Sequence, residues 1–139
     1  MAFYGPARGY LHTPKHYIIN YLLNHLSKNS KWYKKHKQNC IVDLQGEFNQ
    51  FKINIHYNVS DYDLNDWQSK SVKAKTELEA GFKEIENALQ MFNIRNVIIS
   101  VKHIQRNGLE ATGIFMCTLH KDIVRQLIIL GKIEGKIKN

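Results

Sequence analysis

Residues 51–59 read Phe-Lys-Ile-Asn-Ile-His-Tyr-Asn-Val and alternate apolar with polar without a fault. A period of two held this long fits an extended strand and no helix. Phe51, Ile53, Ile55, Tyr57 and Val59 then face a core, and Lys52, Asn54, His56 and Asn58 face the other way. Such a strand needs neighbours for its backbone and a second layer for its apolar side, so the chain must build a sheet covered on one face. The polar face is expected to be wet. A role in contacting RNA is the functional alternative, but the face lacks the stacking rings that RNA-binding sheets use.

The flanking patterns supply the rest of such a fold. Cys40, Val42 and Leu44 alternate with Asp43 and Gln45, a second strand ending near Gly46. Asn96–Ile104 is a third, and Asn107-Gly108 marks a two-residue hairpin turn into a fourth. A two-residue loop sets Arg106 opposite Leu109, Val101 opposite Ile114 and Ile99 opposite Met116. Helices bracket the strands. Thr13-Pro14 offers an N-cap and a first-turn proline ahead of Ile18, Leu22 and Leu26. Residues 27–30 are polar enough to interrupt that helix, with a further turn or two from Ser30. The stripe Leu78, Phe82, Ile85, Leu89 and Phe92 predicts a long helix reaching Phe92. Ile123, Leu127 and Leu130 predict a last one, ended by Gly131.

The order α-β-β-α-β-β-α, with no repeat or low-complexity linker, predicts an α+β fold. It is expected as a single domain over residues 14–139, a mostly antiparallel four-stranded sheet with helices packed on one face. Residues 1–13, with Gly5-Pro6 and Arg8-Gly9-Tyr10, read as an irregular basic and aromatic arm. That arm either threads into a partner's groove with Arg8 at its tip, or folds back over the core edge.

Charge is the feature that bears on function. The 139 residues carry a net +8, and residues 1–42 hold seven Lys or Arg and no carboxylate before Asp43. The remaining chain carries only +1. Lysines outnumber arginines sixteen to four, a bias that AT-rich coding alone can produce, but such a bias does not remove acids from one segment. The densest stretch is Lys28-Asn-Ser-Lys31-Trp32-Tyr33-Lys34-Lys35-His36-Lys37. Phosphates require positive charge along a track and bases stack on rings, so these residues, with Lys15 and Arg8, are the candidate nucleic-acid-binding set. The competing reading makes Trp32 and Tyr33 core anchors with the lysines turned to water.

Other constellations are weaker. Asp61, Asp63 and Asp66 cluster where a strand enters a helix, where carboxylates can hold Mg²⁺ or simply cap the helix. Asp61-x-Asp63 resembles the acid pair of phage-type Holliday-junction resolvases, which implies a Mg²⁺-dependent nuclease, although the nearest following lysine is Lys70. Cys117-x-x-His120 is half a zinc site at most, and Cys40 and Cys117 are expected as buried thiols rather than a disulfide. No Gly-rich phosphate loop, GxSxG or HExxH is present, so neither a cofactor nor a catalytic residue is expected. No run of 18 apolar residues and no signal-peptide core occurs, which predicts a cytoplasmic protein with no membrane partner.

The expected function is therefore that of a small, non-enzymatic nucleic-acid-binding protein with backbone-dominated, low-specificity contacts to DNA or RNA. The alternative is a protein-interaction component: an assembly subunit, as of a phage or mobile element, or an inhibitor docking on a larger nucleic-acid enzyme. A nuclease comes third.

Overall fold

A computed structural model of the chain describes residues 12–47, 50–60, 67–105 and 109–138. The N-terminal residues 1–11, Arg8 among them, and the acids Asp61, Asp63 and Asp66 lie outside the described residues. Helix α1 spans Pro14–Asn29 and α2 Lys31–His36, followed by a 3₁₀ turn at Lys37–Asn39. Strands β1 (Cys40–Glu47) and β2 (Gln50–Ser60) lead to the long helix α3 (Trp67–Leu89) and a 3₁₀ turn at Gln90–Phe92. Strands β3 (Arg95–Gln105) and β4 (Leu109–Leu119) precede α4 (Lys121–Ile133). The sheet is antiparallel throughout, in the order β1-β2-β4-β3, with the helices on one face.

One core lies between the layers. Ile53, Ile55, Phe115 and Cys117 rise from the two central strands, and Ile18, Leu22 and Leu26 of α1 and Phe82, Ile85 and Leu89 of α3 close over them. The predicted stripe of α3 is buried along its whole length, Leu78 and Phe92 included. Thr13 caps α1 through a hydrogen bond from the His16 amide to its hydroxyl, and Pro14 occupies the first turn, as the sequence predicts.

Three expectations fail for identifiable reasons. Gln105, not Arg106, opposes Leu109, so residues 106–108 separate the paired ends. Ile99 therefore faces Phe115 and Val101 faces Gly113 on the helix side, while Ile98 and Ser100 join Met116 and Ile114 on the other. β4 carries Ile114 and Met116 on an otherwise polar face with Glu110, Thr112 and Thr118, so matching apolar residues across the hairpin admits both registers; its pairing with β2, Ile55 opposite Phe115 and Ile53 opposite Cys117, decides. Second, α4 runs through Gly131 to Ile133, and Gly135 takes the left-handed φ of +71° after the helix end. Gly131 instead lets Ile137 and Tyr17 close in: a Cβ there would stand 2.4 Å from Ile137 Cδ1. Third, the polar face of β2 is not uniformly wet. Lys52 and His56 are exposed, but Asn54 is only 4% exposed.

Candidate nucleic-acid interface

The lysine stretch begins with a break. Ser30 leaves helical geometry with ψ 110° and ends α1 as it starts α2. Its side chain accepts from the Tyr33 amide at 3.1 Å, capping a helix of six residues. A helix that short has no stability of its own and exists only where its surroundings hold it. Two anchors do so.

The first is aromatic. At about 100° per residue, Trp32, Tyr33 and His36 share one arc of α2 and Lys31, Lys34 and Lys35 the opposite one. Tyr33 is 4% exposed, and burial pushes its hydroxyl pKa upward. Trp32 packs against Tyr57 and Phe82 at ring-centroid distances of 5.2 and 5.8 Å, and lies flat over Gly81, where a Cβ would stand 2.3 Å from the indole. His36 stacks on Trp32 at 4.8 Å. Desolvation, and then the neighbouring Lys35, lowers its pKa despite the opposing Glu77, so the ring is neutral at pH 7.

The second anchor is Glu84 of α3. Its Oε1 accepts from the Trp32 amide at 3.0 Å and from the Ser30 hydroxyl at 3.1 Å, placing a carboxylate at the N-terminus of α2. The Trp32 amide, followed by Ser30 and Lys31, holds the Glu84 carboxyl below the usual carboxylate range against a partial desolvation. A group with a depressed folded pKa stabilises fully above its unfolded value and loses that contribution as pH falls through the folded one. Glu84→Ala is expected to cost about 1–2 kcal/mol at pH 7. The gap to wild type in urea unfolding should narrow progressively below about pH 4.3, the ordinary glutamate value. A gap constant from pH 7 to pH 2.5 would show that the carboxylate's charge contributes nothing.

The structure thus separates the candidate residues into two sets. Lys28, Lys31, Lys34, Lys35 and Lys37 are exposed and gather around α2. Tyr33 is buried, Trp32 is half-buried with one face on Gly81 and its ring against Tyr57 and Phe82, and His36 is no cation. Lys15 is exposed but belongs to the opposite end of α1, about 20 Å from Lys28 along the helix axis. The stretch is free of acid in sequence only, since Glu84 approaches Lys31 and Glu77 approaches His36.

Sequence reading missed both Gly81 and Glu84. An isolated glycine within a helical pattern was a usable signal for close approach. Nothing in the sequence distinguished Glu84 from the acids on the solvated side of α3. A cleft of about 940 Å³ between α1 and residues 134–136 also passed unread; Tyr21, Asn24, Lys28 and Lys136 are among its lining. At its floor the Tyr17 hydroxyl donates to Glu134 Oε1 at 2.6 Å.

The thiols carry no chemistry of note: burial pushes Cys40 up to about 11 and Cys117 up to about 12. The Asp122 amide donates to His120 Nδ1 at 3.1 Å, so that imidazole caps α4. Among the described residues no three His, Cys, Asp or Glu side chains gather as a metal site, and no helix is long and apolar enough to cross a membrane. No protein family, curated protein or solved structure matches the chain.

Proposed function

We propose that the protein binds the phosphate backbone of nucleic acid through the outward face of α2. The observation behind this reading is the division of one docked helix into an aromatic side packed on the core and a lysine side turned to water. Five lysines from three consecutive segments, α1, α2 and the 3₁₀ turn, present charge beside rings that are buried (Tyr33) or half-buried against the core (Trp32 and His36). Charge without stacking suits a regular phosphate lattice, so a duplex is the favoured form and base sequence is read little. Lysine rather than arginine makes point-charge contacts with no bidentate fork, which favours the same low specificity.

The salt dependence gives the test. With Lys31 partly compensated by Glu84, about four phosphates are neutralised, for a log–log salt slope near −4 in fluorescence anisotropy with duplex DNA or RNA. Lys34→Ala, Lys35→Ala and Lys37→Ala together should bring the slope to about −1 and weaken binding about 10²–10³-fold at 100 mM salt. Lys121→Ala, an exposed lysine on α4, should change neither. Absence of wild-type binding at 100 mM salt, or a slope unmoved by the triple change, sinks the proposal. The reading as a protein-interaction component draws on a different surface, the uncovered face of the sheet.

A further inference from the structure

All the helices lie on one side of the sheet, so the side chains pointing the other way have no layer above them among the described residues. The register arranges that face in rows across the four strands. Ile41, His56, Ile114 and Ser100 form one row, and Asp43, Asn54, Met116 and Ile98 the next. A solvated sheet face carries polar residues at such positions. Here Ile41 is 71% exposed, Ile98 51% and Ile114 36%, with Met116 beside them. Ile98, Ile114 and Met116 adjoin on β3 and β4, and Ile41 stands at the far edge across His56 and Asn54 of β2; exposed apolar residues grouped on an uncovered sheet face mark an interaction surface.

Charge narrows the choice of occupant. The molecule carries +8, yet the register puts as many acids (Asp43, Glu47 and Glu110) as bases (Lys52, Arg95 and Lys102) on this face, with Asp43 and Lys52 flanking Asn54. A polyanion or an acidic partner gains nothing from such a balance. A second copy does, because a two-fold axis brings the acid of each patch toward the base of the other. Asn54 adds an independent indication. It occupies the middle of the face, between Asp43 and Met116, and is nine-tenths buried with no side-chain hydrogen bond among the described residues. A carboxamide both donates and accepts, so its own image across a two-fold axis is a complete partner. The register sets Asp43 and Met116 beside it and Lys52 and His56 before and after it along β2, and these side chains must part for the amides to meet.

The size is adequate for a modest association. Four strands about 4.8 Å apart and about ten residues long at 3.3 Å per residue span roughly 600 Å². Specific interfaces begin near 600 Å² per partner. The geometry points to a symmetric dimer in which two copies of this chain pack the uncovered faces of their sheets together. Each dimer then carries two lysine faces, but the association needs no nucleic acid.

The test is sedimentation equilibrium from 5 to 300 µM without nucleic acid, in 300 mM NaCl to screen the repulsion between two +8 chains. Wild type is expected to dimerise with a micromolar Kd. Ile41→Lys with Ile98→Lys, both at exposed positions, should weaken the dimer at least 30-fold while leaving the circular dichroism spectrum and the monomer's melting unchanged. Ile133→Lys, on α4 and 77% exposed, should dimerise like wild type. A wild type still monomeric at 300 µM overturns the proposal. So does a dimer that survives the double change, or one lost equally in Ile133→Lys.

Discussion

Phe82→Ala is expected to lower unfolding stability by about 3–5 kcal/mol, a large share of the roughly 7–15 kcal/mol that a chain of this length holds. Phe82 is fully buried at the point where every layer meets. Its ring packs against Trp32 of α2 at 5.8 Å and Phe115 of β4 at 6.1 Å. Beneath it lies Gly113, where a Cβ would stand 2.7 Å from Phe82 Cε2 and 2.8 Å from Leu78 Cδ2. The strand has given up a side chain to seat the ring, so nothing on the sheet can fill the space the ring leaves. Sites that cannot collapse sit at the costly end of such substitutions. Urea unfolding should show a lower midpoint with an unchanged slope. A loss below about 2 kcal/mol would mean that Trp32 and Leu78 close the gap.

Gly81→Ala is the second large effect, and two opposing terms decide its sign. Alanine in the interior of α3 improves helix propensity by about 1 kcal/mol over glycine. Against this, the new methyl would stand 2.3–2.6 Å from three atoms of the Trp32 indole, and a fused ring in contact with Tyr57 and Phe82 cannot retreat as a flexible chain end can. Overpacking of this kind costs about 1–3 kcal/mol, and here it also removes an anchor of a six-residue helix. A net destabilisation of about 1–2 kcal/mol is expected, with release of α2 from α3. In a Trp67→Phe background, where Trp32 is the sole indole, its emission should shift to the red and the amides of residues 31–36 should exchange faster. Stability raised by the alanine, with unshifted emission, would show that the ring is not seated on Gly81.

The two substitutions lie one residue apart and probe different levels of the structure. Phe82 reports on the core that makes the domain. Gly81 reports on how the lysine helix is attached to that core. Triple replacement of Lys34, Lys35 and Lys37 touches neither, since all three are exposed. An intact fold with lost affinity therefore separates the proposed phosphate contacts from the scaffold that presents them.

What the sequence by itself determined is whatever depends on local periodicity and caps. The alternation of residues 51–57, the stripe from Leu78 to Phe92, and Thr13-Pro14 each state their element directly, because burial of one face repeats at the spacing of the backbone itself. The four antiparallel strands and the helices on one side followed from those elements. Tertiary structure decided the matters in which two local answers were equally good. Ile114 and Met116, on the mixed side of β4, suit the register of a two-residue turn as well as Gly113 and Phe115 suit the observed one, and only the pairing with β2 and the seat of Phe82 on Gly113 decided between them. Gly131 suits a helix end as well as a close approach, and the chain after α4, folding back so that Ile137 packs on Gly131 and its amide donates to the Gly131 carbonyl, chose the approach. Asn54 reads as a wet residue until the sheet sets it between Asp43 and Met116, where it is buried. The lysine stretch shows the same division most plainly. Its charge is written in the sequence, but only the packing of α2 on α3 turned the rings inward and brought Glu84 to a segment that had no acid of its own. Long-range contacts set these outcomes, and no short window of sequence contains both partners.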